Sequence, residues 1–488
     1  MTPSASSATN LEVLMININD HASIERVVRF FEEFSAIPHG SGNTSQIADY
    51  LVDFAKKRGL EHHRDNADNV VIRKGATKGY ENRPAVIIQG HLDMVAEKKP
   101  SADIDMEKDG LVLYRDGDFL RAKDTTLGGD DGVALAYALA ILDADNIAHP
   151  DFEAVFTSDE EIGLLGAVAI DPDEIHGRLL INIDSDEEGV FTVGCAGGMR
   201  SDITLPVRRT NSSSDTYSVK VSGFKGGHSG VEIDKGRVNA NKALVEIISK
   251  IGDISIKDIR GGNADNAIPR ECECVFSCEL DQRELIAELG DKIKAKYADI
   301  EPDITVTVAK LENTEEGVCV EDSMRLVSLL EKLPSGIIAM SSDVEGLVET
   351  SLNMGILRLE AEKAEISFSV RSAKGAAKAA LGERLEEIAK EHGASYSTRG
   401  AYPAWEYKQD SHLRDVMKKV YEDMYQKSPE IVIIHAGLEC GIFSEKIEGL
   451  DCVSIGPDNF DIHTTEERLS LSSLERVWEF LLNVLKEI

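Results

Sequence analysis

No run of eighteen or so apolar residues occurs anywhere in this 488-residue chain, so no segment reads as a transmembrane helix. Basic residues are scarce as well: 53 lysines and arginines face 87 aspartates and glutamates, a formal charge of -34. That sign of charge repels phosphate backbones and anionic lipid, so neither nucleic acid nor a membrane is an expected partner. The seven cysteines are odd in number and irregularly spaced, which argues for reduced thiols and a cytoplasmic location rather than a disulfide framework. Cys272, Cys274 and Cys278 lie close enough for a metal knuckle, but the first two alternate along a strand-like run over 271–280 and read as packed thiols. Residues 1–10 have neither a basic nor an apolar region, so the expectation there is a disordered leader and no signal peptide.

What the chain does have is acid at the ends of apolar strands. A short apolar run over 153–157 leads into Asp159, Glu160 and Glu161. Alone, such a triplet reads as a solvated turn; alternatively, one carboxylate ligates a metal while its neighbour moves a proton. Upstream, a continuous apolar strand over 85–95 carries His91-Leu-Asp93. Residues i and i+2 of a strand share a side, so Asp93 is placed to orient a metal-binding His91. A glycine-rich turn, Thr125-Thr-Leu-Gly-Gly-Asp-Asp-Gly132, sets Asp130 and Asp131 at the start of an apolar helix over 133–142, where free N–H groups favour carboxylates. The run 179–184 is another buried strand, ending in Asp184. Three strands ending in His or acid, with two further acids on a turn between them, match the place where open α/β sheets build their sites.

The texture then changes. A polar, linker-like run over 211–215 precedes alternating strands (217–221, 304–311, 355–359, 364–371) and long helices (238–251, 284–297). Near residue 400 the first texture returns, with a helix over 413–425, strands over 431–434 and 452–455, a loop bearing His463 and a final helix from Leu471. The expected fold is α/β: a discontinuous catalytic domain at 1–206 and 398–488, with an α+β domain inserted at 207–397.

In this order, Gly90-His-Leu-Asp-Met-Val95, Thr125-Thr-Leu-Gly-Gly-Asp-Asp-Gly132, Thr157-Ser-Asp-Glu-Glu-Ile-Gly163 and Leu180-Ile-Asn-Ile-Asp-Ser185 resemble the M20 family of co-catalytic metallopeptidases. So do Gly194-Cys-Ala-Gly-Gly198, Gly226-Gly-His-Ser-Gly230, Asn266-Ala-Ile-Pro-Arg270, Val348-Glu-Thr-Ser-Leu-Asn353, Gly400-Ala-Tyr-Pro-Ala-Trp405 and His435-Ala-Gly-Leu-Glu-Cys-Gly441. The resemblance covers essentially the whole chain and is strongest to the family's aminoacyl-histidine dipeptidase branch. It implies a di-metal exopeptidase-type domain with an inserted lid.

It also implies roles. His91 and Asp184 would hold one divalent ion, Glu161 and His463 a second, and Asp130 would bridge both. Zn2+ is the first expectation, and the N/O donor set also suits Mn2+ or Co2+. Glu160 would be the general base and Asp93 the orienter of His91. From the insert, His228 would stabilise the oxyanion, while Arg371 and Asn266 would hold a dipeptide's carboxylate. Gly437 and Glu439 would lie close by, with Glu439 meeting the substrate amine. The branch usually has Asn where this chain has Asp131; the wider family often has a cis peptide there, so Asp130-Asp131 is expected to be cis. The implied activity is hydrolysis of unblocked Xaa-His and other short dipeptides. The weighed alternatives are deacylation of N-acyl amino acids, a metal-free binding relative, and a two-metal phosphoesterase, which lacks a basic clamp near the ligands. A homodimer in which His228 reaches across to a second copy is left open.

Overall fold

The structure is a computed structural model and describes residues 24–488 apart from 213, 313–315, 343 and 345. The leader expected at residues 1–10 lies outside the described residues. The chain divides into two compact units, one of residues 24–193, 408–432 and 438–488, the other of residues 194–407 and 433–437.

The first unit is built on an eight-stranded sheet. Its order is Glu61–Arg64, Val70–Lys74, Phe152–Thr157, Val86–His91, Leu179–Asn182, Asp451–Ser454, Val190–Cys195 and Glu430–Ile434. Val86–His91 lies between Phe152–Thr157 and Leu179–Asn182 and runs parallel to both, with His91 opposite Thr157 and Gln89 opposite Asn182. All three strands are buried along their length, as their unbroken apolar runs require. They therefore end together, and their carboxyl ends deliver His91, the 159–161 turn and Asp184 to one edge of the sheet. The helix Gly129–Asp143 is buried almost throughout, so it has no polar face to show. Ile24–Ser35 packs on that helix, and His412–Tyr425 packs against Leu471–Glu487. At residue 90 the helix comes so close to the strand that a Cβ would overlap Ala134 Cβ and Asp131 Oδ2; only glycine fits.

The second unit is a nine-stranded antiparallel sheet with the helices Ala240–Ile248, Arg283–Tyr297, Val320–Lys332 and Gly375–Glu391. One continuous core joins its strands to residues of all four helices, among them Ile247, Ile286, Leu330 and Leu385, and it includes Cys272 and Cys274. The cysteines are all free, and burial raises the pKa of the Cys272 and Cys274 thiols, so these are packing residues and not a metal knuckle.

The unit boundaries depart from 207 and 397. Gly197–Pro206 pairs along its length with Lys363–Ser372 on one side and with Ser395–Tyr402 on the other. Both flanking strands are therefore part of the inserted sheet, and the insert starts at Gly194 and ends at Tyr407. The polar run over 211–215 is no domain linker: it joins the strand Arg209–Asn211 to Asp215–Ser222 inside the second unit.

Candidate active site

In the first unit His91 closes its strand with the ring fully buried. Its Nδ1 donates to the backbone carbonyl of Asp93 at 2.8 Å, which fixes the tautomer and leaves Nε2 to face the acids. Nε2 lies 3.0 Å from Asp130 Oδ1 and 3.8 Å from Asp184 Oδ1. On the far side of Asp130, His463 Nε2 lies 3.1 Å from Oδ2 and 2.9 Å from Glu161 Oε1. Asp130 thus offers one oxygen to each histidine. The ligand atoms of His91, Asp130 and Asp184 fall within 4.8 Å of one another, and so do those of Asp130, Glu161 and His463, and of His91, Glu160 and Glu161. Two triads sharing one carboxylate can hold a pair of ions.

The electrostatics fit divalent cations. Burial pushes Asp184 up to about 6 against the pull of His91, and the charge of Asp130 adds to the rise. Burial also drives Glu160 well above the usual carboxylate range; His91 opposes this, while Asp184, Glu439 and Glu161 reinforce it. Contacts with Asp130 and Glu161 lift His463 to about 10. For Asp130 burial works upward, but His463 and His91 hold its carboxyl below the ordinary value. Glu161 Oε1 is buried without a hydrogen bond, its approach to His463 being an ion pair only. Carboxylates crowded this closely repel one another unless positive charge lies among them, and the N/O donor set is one that zinc and its neighbours accept.

The model of Peptidase family M20/M25/M40 matches residues 87–487. The chain is 35% identical over 467 residues to the cytosol non-specific dipeptidase of Escherichia coli strain K12, covering 94% of this chain and 96% of that protein. The chain belongs to Peptidase family M20/M25/M40. The crystal structure of aminoacylhistidine dipeptidase from Vibrio alginolyticus matches with a TM-score of 0.90 at 33% identity, covering 96% of this chain and 98% of that one. Aminopeptidase PepT from Bacillus cereus, at 17% identity, a TM-score of 0.55 and 96% and 99% coverage, shares the fold.

Two expectations for this M20 chain change in detail. The Asp93 carboxylate is 3.7 Å from His91 Nδ1, so its backbone carbonyl, not its side chain, orients the imidazole. The carboxylate instead accepts from Ser41 Oγ at 2.8 Å and from the backbone N–H groups of Glu160 and Glu161 at 2.9 and 3.3 Å. Glu439 is fully buried and does not open toward a substrate amine. Its Oε2 accepts from Gln89 Nε2 at 2.5 Å and Thr157 Oγ1 at 2.6 Å, behind the strand ends, and burial raises its pKa to about 7. Asp131 is buried too, and its oxygens accept from the His91 and Ala134 N–H groups at 3.3 and 3.4 Å. The Asp130-Asp131 peptide is cis, as expected.

Glu467 also belongs to the site, with no motif to mark it. This buried carboxylate accepts from the N–H groups of Leu127, Gly128 and Gly129 at 2.7, 3.0 and 2.8 Å and so holds the turn that presents Asp130. Its local sequence does not distinguish it from Glu466, an exposed acid paired with Lys99 at 2.9 Å.

In the second unit, His228 and Asn266 line a cavity of about 1090 Å³ that Arg371 does not line. His228 Nδ1 accepts from the N–H groups of Gly230 and Val231, both at 3.2 Å. Burial, then Arg371, lowers its pKa, so the ring is neutral near pH 7 and its proton sits on Nε2, ready to be donated. Arg371 is buried, and a Cβ at Gly230 would stand 2.9 Å from His228 Cε1 and 3.1 Å from Arg371 Nε. Gly230 therefore separates these two groups at close range. Gly437 belongs to this unit and lies against the ring of Tyr402.

Proposed function

We propose that this M20 peptidase is a metal-dependent dipeptidase that cleaves unblocked Xaa-His and other short dipeptides. The observation that carries the reading is Asp130 with one oxygen toward His91 and the other toward His463, with Glu160 beside them. The names of its relatives, a non-specific dipeptidase and an aminoacylhistidine dipeptidase, support the substrate class.

His91, Asp130 and Asp184 would hold one ion, and Asp130, Glu161 and His463 the other, zinc being the first candidate and Mn2+ or Co2+ also compatible. Such a pair, when bound, lowers the pKa of water at the site and polarises the scissile carbonyl. Glu160 takes the proton of the attacking water and returns it to the leaving amine, a role that suits an acid whose proton affinity burial raises. His228 donates its Nε2–H to the oxygen on which negative charge develops. The Arg371 guanidinium holds the dipeptide's terminal carboxylate, and Asn266 binds substrate from the cavity wall. No helix among the described residues is long and apolar enough to cross a membrane, which accords with a cytoplasmic enzyme.

The test is amino-acid release from β-Ala-His, Gly-His, Cys-Gly, a His-containing tripeptide and an N-acetylated dipeptide, with chelated and metal-restored enzyme. Metal-restored cleavage confined to the unblocked dipeptides is expected. Cleavage of the acetylated substrate alone would make the chain a deacylase instead.

A further inference from the structure

Three sequence motifs meet in one place: Gly194-Cys-Ala-Gly-Gly198, Gly400-Ala-Tyr-Pro-Ala-Trp405 and His435-Ala-Gly437. The second unit brings them together around Arg371. Across its sheet, Ser351 stands opposite Arg371, Arg371 opposite Gly198, and Gly198 opposite Tyr402. Directly opposed residues point to the same face, so Tyr402 and Arg371 share one, two strands apart. Gly198 between them has no side chain, and a Cβ there would stand 2.7 Å from the Tyr402 ring at Cε1. The ring lies in that gap, and its hydroxyl accepts from Arg371 Nη1 at 3.1 Å.

The surrounding contacts hold the ring in place. A Cβ at Gly437 would stand 2.7 Å from Tyr402 Cε2, so a second glycine closes on the ring. Residues 435–437 are fixed along the same row, with His435 Nε2 2.8 Å from Ser351 Oγ. Cys195 and Trp405 exchange both backbone hydrogen bonds at 3.0 Å, Ala196 donates to the Ile434 carbonyl at 3.0 Å, and Lys378 Nζ donates to the Tyr402 carbonyl. Arg371 Nε, by contrast, is buried with no hydrogen-bond partner among the described residues.

We propose that Tyr402 is a positioning residue: it ties up Nη1 of Arg371 and presents the Nε/Nη2 edge of the guanidinium to the terminal carboxylate of the dipeptide. This rests on the reading of Arg371 given above. A guanidinium binds a carboxylate best with two parallel N–H donors, and holding one nitrogen by a phenol selects which pair is free. The buried, unpartnered Nε–H is the donor that a carboxylate oxygen would satisfy.

The experiment compares Gly-His with its C-terminal carboxamide on metal-loaded wild-type enzyme and on Tyr402→Phe, Gly198→Ala and Arg371→Ala. Tyr402→Phe is expected to raise KM for Gly-His by about three- to tenfold with kcat within about twofold, and to leave the carboxamide unaffected. Gly198→Ala, which displaces the ring, is expected to do the same. A Tyr402→Phe effect equal on both substrates, or one on kcat alone, would overturn the positioning role, since a general packing defect does not discriminate between them. If Arg371→Ala removes the preference for the free acid but neither other variant changes it, the role of Tyr402 falls and that of Arg371 stands. If Arg371→Ala also treats both substrates alike, the carboxylate reading falls and the proposal with it.

Discussion

The carboxylate of Asp93 accepts the backbone N–H of Glu160 at 2.9 Å. It also accepts that of Glu161 at 3.3 Å and the Ser41 hydroxyl at 2.8 Å, while the carbonyl of the same residue receives His91 Nδ1. One residue therefore fixes the ring of one proposed metal ligand, the backbone of another and the backbone of the proposed general base. Asp93→Ala is expected to weaken metal binding by about ten- to a hundredfold, the usual cost of losing a group that supports ligands. Both variants keep the backbone carbonyl that receives His91 Nδ1, and Asp93→Asn, which also keeps one side-chain acceptor, should fall between. Isothermal titration of chelated protein with Zn2+ measures both; wild-type affinity in Asp93→Ala would contradict the assignment.

Glu160 is the only carboxylate of the 159–161 turn whose proposed role is to move a proton while it ligates nothing. Glu160→Gln is expected to lower kcat by at least a hundredfold, within the range that general acid–base catalysis contributes. Its metal content, measured by elemental analysis, should match the wild type. Loss of metal together with activity would make Glu160 a ligand instead.

Glu467 acts at one remove from the site. Removing its side chain orphans the three buried N–H groups of Leu127, Gly128 and Gly129, each worth about 1–3 kcal/mol when unsatisfied. Glu467→Ala should therefore lower the thermal midpoint and loosen metal binding through Asp130. An unchanged metal affinity would limit Glu467 to a stabilising role.

Asp131 is buried beside Asp184 and Asp130, where its own burial, then Asp184, drives its pKa well up. Its two hydrogen bonds are long, 3.3 and 3.4 Å, and an amide oxygen can keep one of them. Asp131→Asn should raise the thermal midpoint of the metal-free protein by removing a buried acid, and leave dipeptide hydrolysis within about fivefold of wild type. A hundredfold loss of activity would show that the acid itself is required.

Much of this was legible in the sequence, because continuous apolar runs and the acids that end them are local signals. The strands over 85–95, 153–157 and 179–184 are found as Val86–His91, Phe152–Thr157 and Leu179–Asn182, side by side and parallel. The proposed ligand set follows from motif order, and the structure brings its five residues into two neighbouring groups. What periodicity does not carry is direction and pairing over long range. Glu439 follows a glycine turn, which reads as exposed, yet its helix turns it inward onto Gln89 and Thr157, some 350 and 282 residues away in sequence. The insert boundary failed for a related reason: Gly197–Pro206 looks like any amphipathic strand, and only its pairing with Lys363–Ser372 assigns it to the second unit.

Metal stoichiometry measured against activity tests whether Asp130 would serve two ions at once. Chelated protein would be titrated with Zn2+ or Mn2+, with bound metal per chain and Gly-His hydrolysis followed on the same samples. Two ions per chain, no hydrolysis without metal and loss of the paired occupancy in Asp130→Ala are expected. Full hydrolysis by the chelated protein, or two ions bound as tightly in Asp130→Ala as in the wild type, would contradict this.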